Sequence, residues 1–178
     1  SAVLSGSTHA LEIVLANLAQ QGIVTRLLRV DYAFHSPQME ILAKEFEKTL
    51  GPIETNTPQI PLYSTVTGTR LGDACMDTSY WAENIRATVH LARAVHEALT
   101  TEFAQCLGAA PYERSAARQG VRNGYRERTL VTRVGALKLR VPRDRAGLFT
   151  PTVFDRYQRH EQALVATTAE CDLQGVST

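Results

Sequence analysis

The chain has 178 residues, 44% of them hydrophobic and 21% charged, with 19 Lys+Arg against 18 Asp+Glu. That balance is ordinary for a globular protein and excludes the disordered, collagenous and coiled-coil classes. No apolar run reaches the roughly 18–20 residues that span a bilayer, and the first eleven residues carry no Lys or Arg, which argues against a classical signal peptide. Cys75, Cys106 and Cys171 are odd in number and far apart. They fit neither a disulfide framework nor paired zinc ligands, so a reducing, cytoplasmic setting is expected and no membrane partner. The chain begins at Ser1 rather than Met, as a fragment would. Its charge is uneven: residues 1–98 hold 7 Lys+Arg and 10 Asp+Glu, residues 99–178 hold 12 and 8, and residues 112–145 hold 10 and 3. Such a split predicts two modules with different partners.

In the acidic half, Val3-Leu4 reads as a short strand. Ser7 or Thr8 caps a helix whose Leu11, Val14, Leu15 and Leu18 fall at i, i+3, i+4, i+7, and Gly22 is placed for a left-handed stop. Val24 to Val30 reads as a second strand. Ser36-Pro37 opens a helix with Met39, Leu42, Phe46 and Leu50 on one face, and Gly51-Pro52 closes it. Ile60 to Thr67 reads as a third strand ending at Gly68, and Asp77 or Thr78 caps a helix carrying Tyr80, Trp81 and Ile85. Strand and helix alternate, which is an α/β pattern.

The blocks Val3-Leu4-Ser5-Gly6, Val30-Asp31-Tyr32-Ala33-Phe34-His35-Ser36-Pro37-Gln38-Met39-Glu40, Pro61 to Gly68, and Tyr80-Trp81-Ala82-Glu83-Asn84-Ile85-Arg86 stand in order. Over residues 1–98 they resemble the C-terminal part of a polyketide-synthase acyltransferase domain. The resemblance implies acyl transfer from a malonyl-type coenzyme A thioester to an acyl carrier protein, with no bound cofactor. It makes His35 the general base and gives Asn84 the backbone carbonyl that orients its ring, an arrangement that fixes the tautomer. Tyr32 and Phe34 fall in the tetrapeptide linked to extender-unit choice. Tyr32 matches methylmalonyl-type domains and Phe34 malonyl-type ones, and a ring at Phe34 would crowd an α-methyl group, favouring malonyl. The bland alternative for His35 is a capping or core residue before the Ser-Pro helix. The family's Gly-His-Ser-x-Gly nucleophile elbow occurs nowhere in the 178 residues, and Thr88 stands where proline is usual. A base without its nucleophile loses most of the catalytic effect. His9, His90, His96 and His160 share no ligand spacing, so no metal site is expected.

In the basic half, Phe103 to Leu107 closes a helix ending at Gly108. Leu130 to Val134 and Leu137 to Val141 alternate as two strands joined at Gly135-Ala136 and ended by Pro142. Leu137, Leu139 and Val141 share one face of the second strand, and Lys138 and Arg140 the other. Phe154 to Cys171 is helical in character, with Gly175 as its stop. Arg122, Arg126, Arg128, Arg133, Lys138, Arg140, Arg143 and Arg145 are candidate phosphate contacts, and the excess of Arg over Lys, 11 to 1 in residues 99–178, suits forked contacts. The bland alternative is a solvated charged hairpin.

Leu107-Gly108-Ala109-Ala110-Pro111-Tyr112-Glu113-Arg114, Arg122 to Leu130, Thr132 to Arg145, Phe154 to Arg159 and Gln174 to Thr178 form a second ordered series. Over residues 99–178 it resembles the N-terminal region of mutator-type insertion-sequence transposases. That implies DNA as partner, with a divalent metal only in an Asp-Asp-Glu domain beyond these residues. Asp144, Asp155, Glu161, Glu170 and Asp172 therefore receive no catalytic role. The expected fold is α+β or α/β: a ferredoxin-like acyltransferase subdomain with partial α/β-hydrolase-like elements, then a helix–β-hairpin–helix basic module. The expected protein is a truncated fusion, from rearrangement in a polyketide gene cluster or an assembly error, without turnover alone. The alternatives are a DNA-binding module in transposition, and complementation of a partner that supplies the serine.

Overall fold

The computed structural model describes residues 2–72, 76–132 and 135–154. Four helices, α1 (Thr8–Gln20), α2 (Glu40–Leu50), α3 (Thr78–Arg86) and α4 (Leu91–Leu107), precede two strands, β1 (Arg122–Thr132) and β2 (Gly135–Asp144). The strands pair as a two-stranded antiparallel sheet in a mixed α/β chain. Two compact units emerge: Ser1–Ala98 with Val131–Leu137, and Leu99–Leu130 with Lys138–Thr178.

In the first unit, local chemistry sets the helix ends. Ser7 caps α1 by accepting from the Ala10 N–H at 3.3 Å. At its other end Gly22 adopts φ 69, which lets the Gly22 N–H reach Ala19 O and the Ile23 N–H reach Leu18 O, both at 3.0 Å. These are the paired bonds of a left-handed helix stop. A 3₁₀ turn, Pro37–Met39, leads into α2, with the Ser36 hydroxyl accepting from the Gln38 N–H at 3.3 Å. α2 packs on α3 through buried Ala43 and Ala82, with Met39 buried in the turn before α2. The Asp77 carboxylate caps α3, accepting from the Tyr80 N–H and the Ser79 hydroxyl, both at 2.8 Å. Those donors, Tyr80 first, lower its pKa from the ordinary 3.8. Between α2 and α3, buried Ser64 accepts from the Val66 and Thr67 N–H groups and pairs with the Tyr80 hydroxyl at 2.9 Å.

Three expected strands are absent among the described residues. Val3-Leu4 and Val24 to Val30 form no ladder, and Ile60 to Thr67 contributes a single antiparallel bridge, Tyr63 to Arg70. A strand exists only when a neighbour takes its N–H and C=O groups. Residues 24–30 join no ladder, the Val30 N–H turns back to Leu28 O at 3.1 Å, and Val24 is 96% exposed. Of the stripe expected on the helix opened by Ser36-Pro37, only Met39 is buried, in the turn before α2, while Leu42, Phe46 and Leu50 are exposed.

In the second unit the core gathers Leu99, Phe103 and Leu107 of α4 with Leu130, Leu139, Val141, Phe149 and Phe154. The Phe103 ring lies 4.8 Å from that of Phe149, and the Arg122 guanidinium lies 4.9 Å from its centroid. Gly108, at φ 64, ends α4, and a Cβ there would fall 2.5 Å from Ala117 O. The sheet is longer than the sequence pattern indicates. β1 starts at Arg122, Gly135 and Ala136 already belong to β2, and β2 runs through Pro142 to Asp144. A two-stranded sheet is all edge, so proline's missing donor need not break a ladder. After β2 the buried Asp144 carboxylate accepts from the Leu148 and Phe149 N–H groups, each at 3.0 Å, drawing Phe149 inward. The same two bonds lower the Asp144 pKa from 3.8. The helix expected from Phe154 to Cys171 lies, past Phe154, outside the described residues.

Phe103→Ala should cost about 3–5 kcal/mol of stability, and Gly108→Ala at least about 1 kcal/mol, both read by urea denaturation. Because Asp77 and Asp144 have folded pKa values below their unfolded ones, their stabilisation is complete above about pH 5. It should fall as pH drops through the folded values, and Asp144→Asn should flatten that acid limb of a Tm-against-pH series.

Candidate functional site

His35 sits beside the end of α3. Its backbone takes φ 61, a left-handed conformation that is rare for a residue with a Cβ. Two bonds hold it there. The His35 N–H donates to Ile85 O at 2.9 Å, and the ring Nδ1 meets Ala87 O at 3.0 Å. A carbonyl only accepts, so Nδ1 carries the proton and the neutral ring presents its lone pair at Nε2. That is the tautomer a general base needs.

The carbonyl is not that of Asn84. Asn84 lies within α3, where carbonyls point along the axis; Ala87 has left the helix with φ −73 and ψ 154, which turns its carbonyl aside. The position implied for Asn84 is thus held by a residue three further on. The signal that could have found it is the stop of the helix at Arg86, since terminal carbonyls lack intrahelical donors.

The other residues of this segment are brought together. The Tyr32 and Phe34 rings lie 5.7 Å apart, and Phe34 lies 6.5 Å from the His35 ring. Tyr32 is 61% and Phe34 42% exposed. The neighbouring Ser36 is no nucleophile: it is buried, and its hydroxyl donates to Ala33 O at 2.6 Å while accepting from Gln38. A cavity of about 200 Å³ between α2 and α3 is lined by Glu40, Lys44 and Arg86 but not by His35. Glu40 pairs with Lys44 and Arg86, each at 3.2 Å, and Arg86 also pairs with Glu83. Among the described residues no three His, Cys, Asp or Glu side chains gather as metal ligands. Among them, too, no helix is long and apolar enough to cross a membrane.

The cations of the second half divide in two. Arg122 lies over Phe103 and donates to Ala109 O at 3.0 Å, and Arg128 lies 4.0 Å over Phe154. Both are half-buried and hold the core together. Arg126, Lys138, Arg140, Arg143 and Arg145 are exposed. Arg140 lies 4.7 Å over the Tyr125 ring on the face opposite buried Leu139 and Val141. Arg133 lies outside the described residues. Charge alone could not separate these groups, because the aromatic partners Phe103 and Phe154 are distant in sequence.

The chain is similar to two different classes of protein. The family model described as Transposase, Mutator family, matches residues 75–178. The chain belongs to that family. It is 56% identical over 84 residues to the transposase for insertion sequence element ISRM5 of Rhizobium meliloti, a match covering 47% of this chain and 21% of that one. It is also 46% identical over 95 residues to the spectinabilin polyketide synthase system protein NorA′ of Streptomyces orinoci, covering 53% of this chain and 3% of that one. Among solved structures, a loading acyltransferase from the avermectin modular polyketide synthase matches with TM-score 0.51 and 32% identity, over 54% of this chain and 30% of that one. The chain is therefore a chimera of transposase and polyketide-synthase acyltransferase parts. It spans about a fifth of the curated transposase it matches.

Strain at His35 gives a direct check. His35→Ala keeps the left-handed backbone and loses the ring's bond, whereas His35→Gly relieves the backbone. The glycine variant should be the more stable by about 1 kcal/mol, reversing the usual order of these residues.

Proposed function

We propose that this chain is a fusion that keeps positioning and binding parts of two enzymes but the complete reacting set of neither. In the acidic half, residues 1–98, the supporting observation is the bond from the His35 ring to Ala87 O, 3.0 Å. That bond poises Nε2 to take a proton from a nucleophile during transfer of a malonyl-type group from coenzyme A to a carrier protein. No Gly-His-Ser-x-Gly elbow stands in the sequence, and Ser36 is engaged elsewhere. These residues alone therefore give no acyl turnover. In this reading they derive from a ferredoxin-like subdomain with α/β-hydrolase-like pieces, working in the cytoplasm, and the Tyr32–Phe34 pair screens the extender unit.

Residues 99–178 then act as the DNA-contacting helix–hairpin module of a transposase, with catalytic metal chemistry belonging to residues outside this chain. What favours this is the exposure of Arg126, Lys138, Arg140, Arg143 and Arg145 while Leu139 and Val141 are buried. Such cations displace counterions from a phosphate backbone, whatever its sequence.

Fluorescence anisotropy with labelled duplex DNA over a salt series tests the second part. Lys138→Ala or Arg143→Ala should each lower the slope of log K against log salt by about 0.9. Arg122→Ala should lower Tm instead, since that side chain serves the core. Binding indifferent to salt would sink the reading. For the first part, incubation with malonyl-CoA and a carrier protein should leave the carrier unloaded, and an acylated carrier would refute the absence of turnover.

A further inference from the structure

One side chain of the second unit stands apart from both the core and the phosphate-facing cations. Tyr112 is 100% exposed. The other rings described in this unit are occupied: Phe103 meets Phe149, Phe154 lies under Arg128 and Tyr125 under Arg140. A large ring wholly in water gains nothing from burial. Tyr112 also holds φ 64, a conformation disfavoured for a bulky residue.

The turn that presents it is firmly built. The Glu113 carboxylate accepts from the Ala110 N–H at 2.8 Å, and the Glu113 N–H returns to Ala110 O at 3.3 Å. The Arg118 guanidinium donates to Glu113 O at 3.3 Å and to Gly120 O at 2.8 Å. The base of the loop is tied by the Gln119 N–H to Leu107 O at 2.9 Å and by Arg122 to Ala109 O at 3.0 Å. The backbone beneath the ring is thus fixed before any ligand arrives, which reduces the ordering cost of binding. Glu113, the nearest acid, is engaged inside the turn, while Arg114 is exposed beside it.

We propose that this turn is a base-stacking element. Tyr112 lays its ring on a nucleobase that has left the stack of the DNA duplex, and Arg114 holds the adjacent phosphate. The chemistry is that of aromatic platforms, which accept every base because each has a π face, and of side-chain wedges that unstack a base step. The inference rests on the DNA-binding reading and adds to it a preference for DNA with an unpaired base.

The test uses the whole chain and two labelled duplexes, one fully paired and one with a single unpaired 2-aminopurine. On the second probe Tyr112→Ala should weaken binding by about 5- to 150-fold and lose the quenching of 2-aminopurine, while Tyr112→Trp keeps both. On the paired duplex the alanine variant should bind as the parent does, with an unchanged salt slope, because the side chain is neutral. Tyr112→Gly should raise Tm by freeing the backbone, yet bind the unpaired probe as poorly as alanine. Salt-sensitive binding of both probes, unaltered in Tyr112→Ala, would overturn the inference and leave the DNA reading standing. Failure of the parent chain to bind either duplex would overturn both.

Discussion

A helix that stops leaves carbonyls without N–H partners, and the end of α3 meets that constraint through one residue. Ile85 O takes the His35 N–H and Ala87 O takes its ring. Satisfying both requires the left-handed turn at His35, which in turn delivers Ser36 as the cap of the 3₁₀ turn leading into α2. Packing of α2 on α3 then follows from the small pair Ala43 and Ala82. His35 is thus the residue that closes the helix pair, and its strain is sustained by bonds from a neighbouring element.

The second unit solves a different problem: a small core with many arginines around it. Arg122 and Arg128 lie against Phe103 and Phe154, so the guanidinium planes cover rings that the apolar side chains leave open. Asp144 acts likewise from the acidic side, holding the loop that carries Phe149. Charge in this half is divided between holding the core and facing solvent, and the division follows from which cations find a buried ring: Phe103 and Phe154 are buried, whereas Tyr125 under Arg140 is exposed.

Helix ends were legible in the sequence because they are local. Ser7, Asp77, Gly22, Gly51 and Gly108 act within a few residues of themselves. Strands were read less well. Val24 to Val30 has the composition of a strand but joins no ladder, whereas Arg122 to Arg128 lacks the composition and pairs with β2. The two families were legible from ordered blocks, yet the blocks placed the orienting carbonyl at Asn84 rather than Ala87. Sequence similarity fixes a position; which carbonyl turns toward the ring depends on where the helix unwinds.

The sheet of β1 and β2 has, among the described residues, no third strand, so neither outer edge is covered by strand pairing. Such edges invite pairing with another chain. Here Pro142 offers β2 no backbone donor, and the exposed Lys138, Arg140 and Arg143 repel a like-charged copy. The cations on this ribbon therefore oppose pairing of its strands with those of another copy. Neutralising all of them together would remove that repulsion, so the charge on the ribbon's solvent face also sets its tendency to pair with a copy of itself.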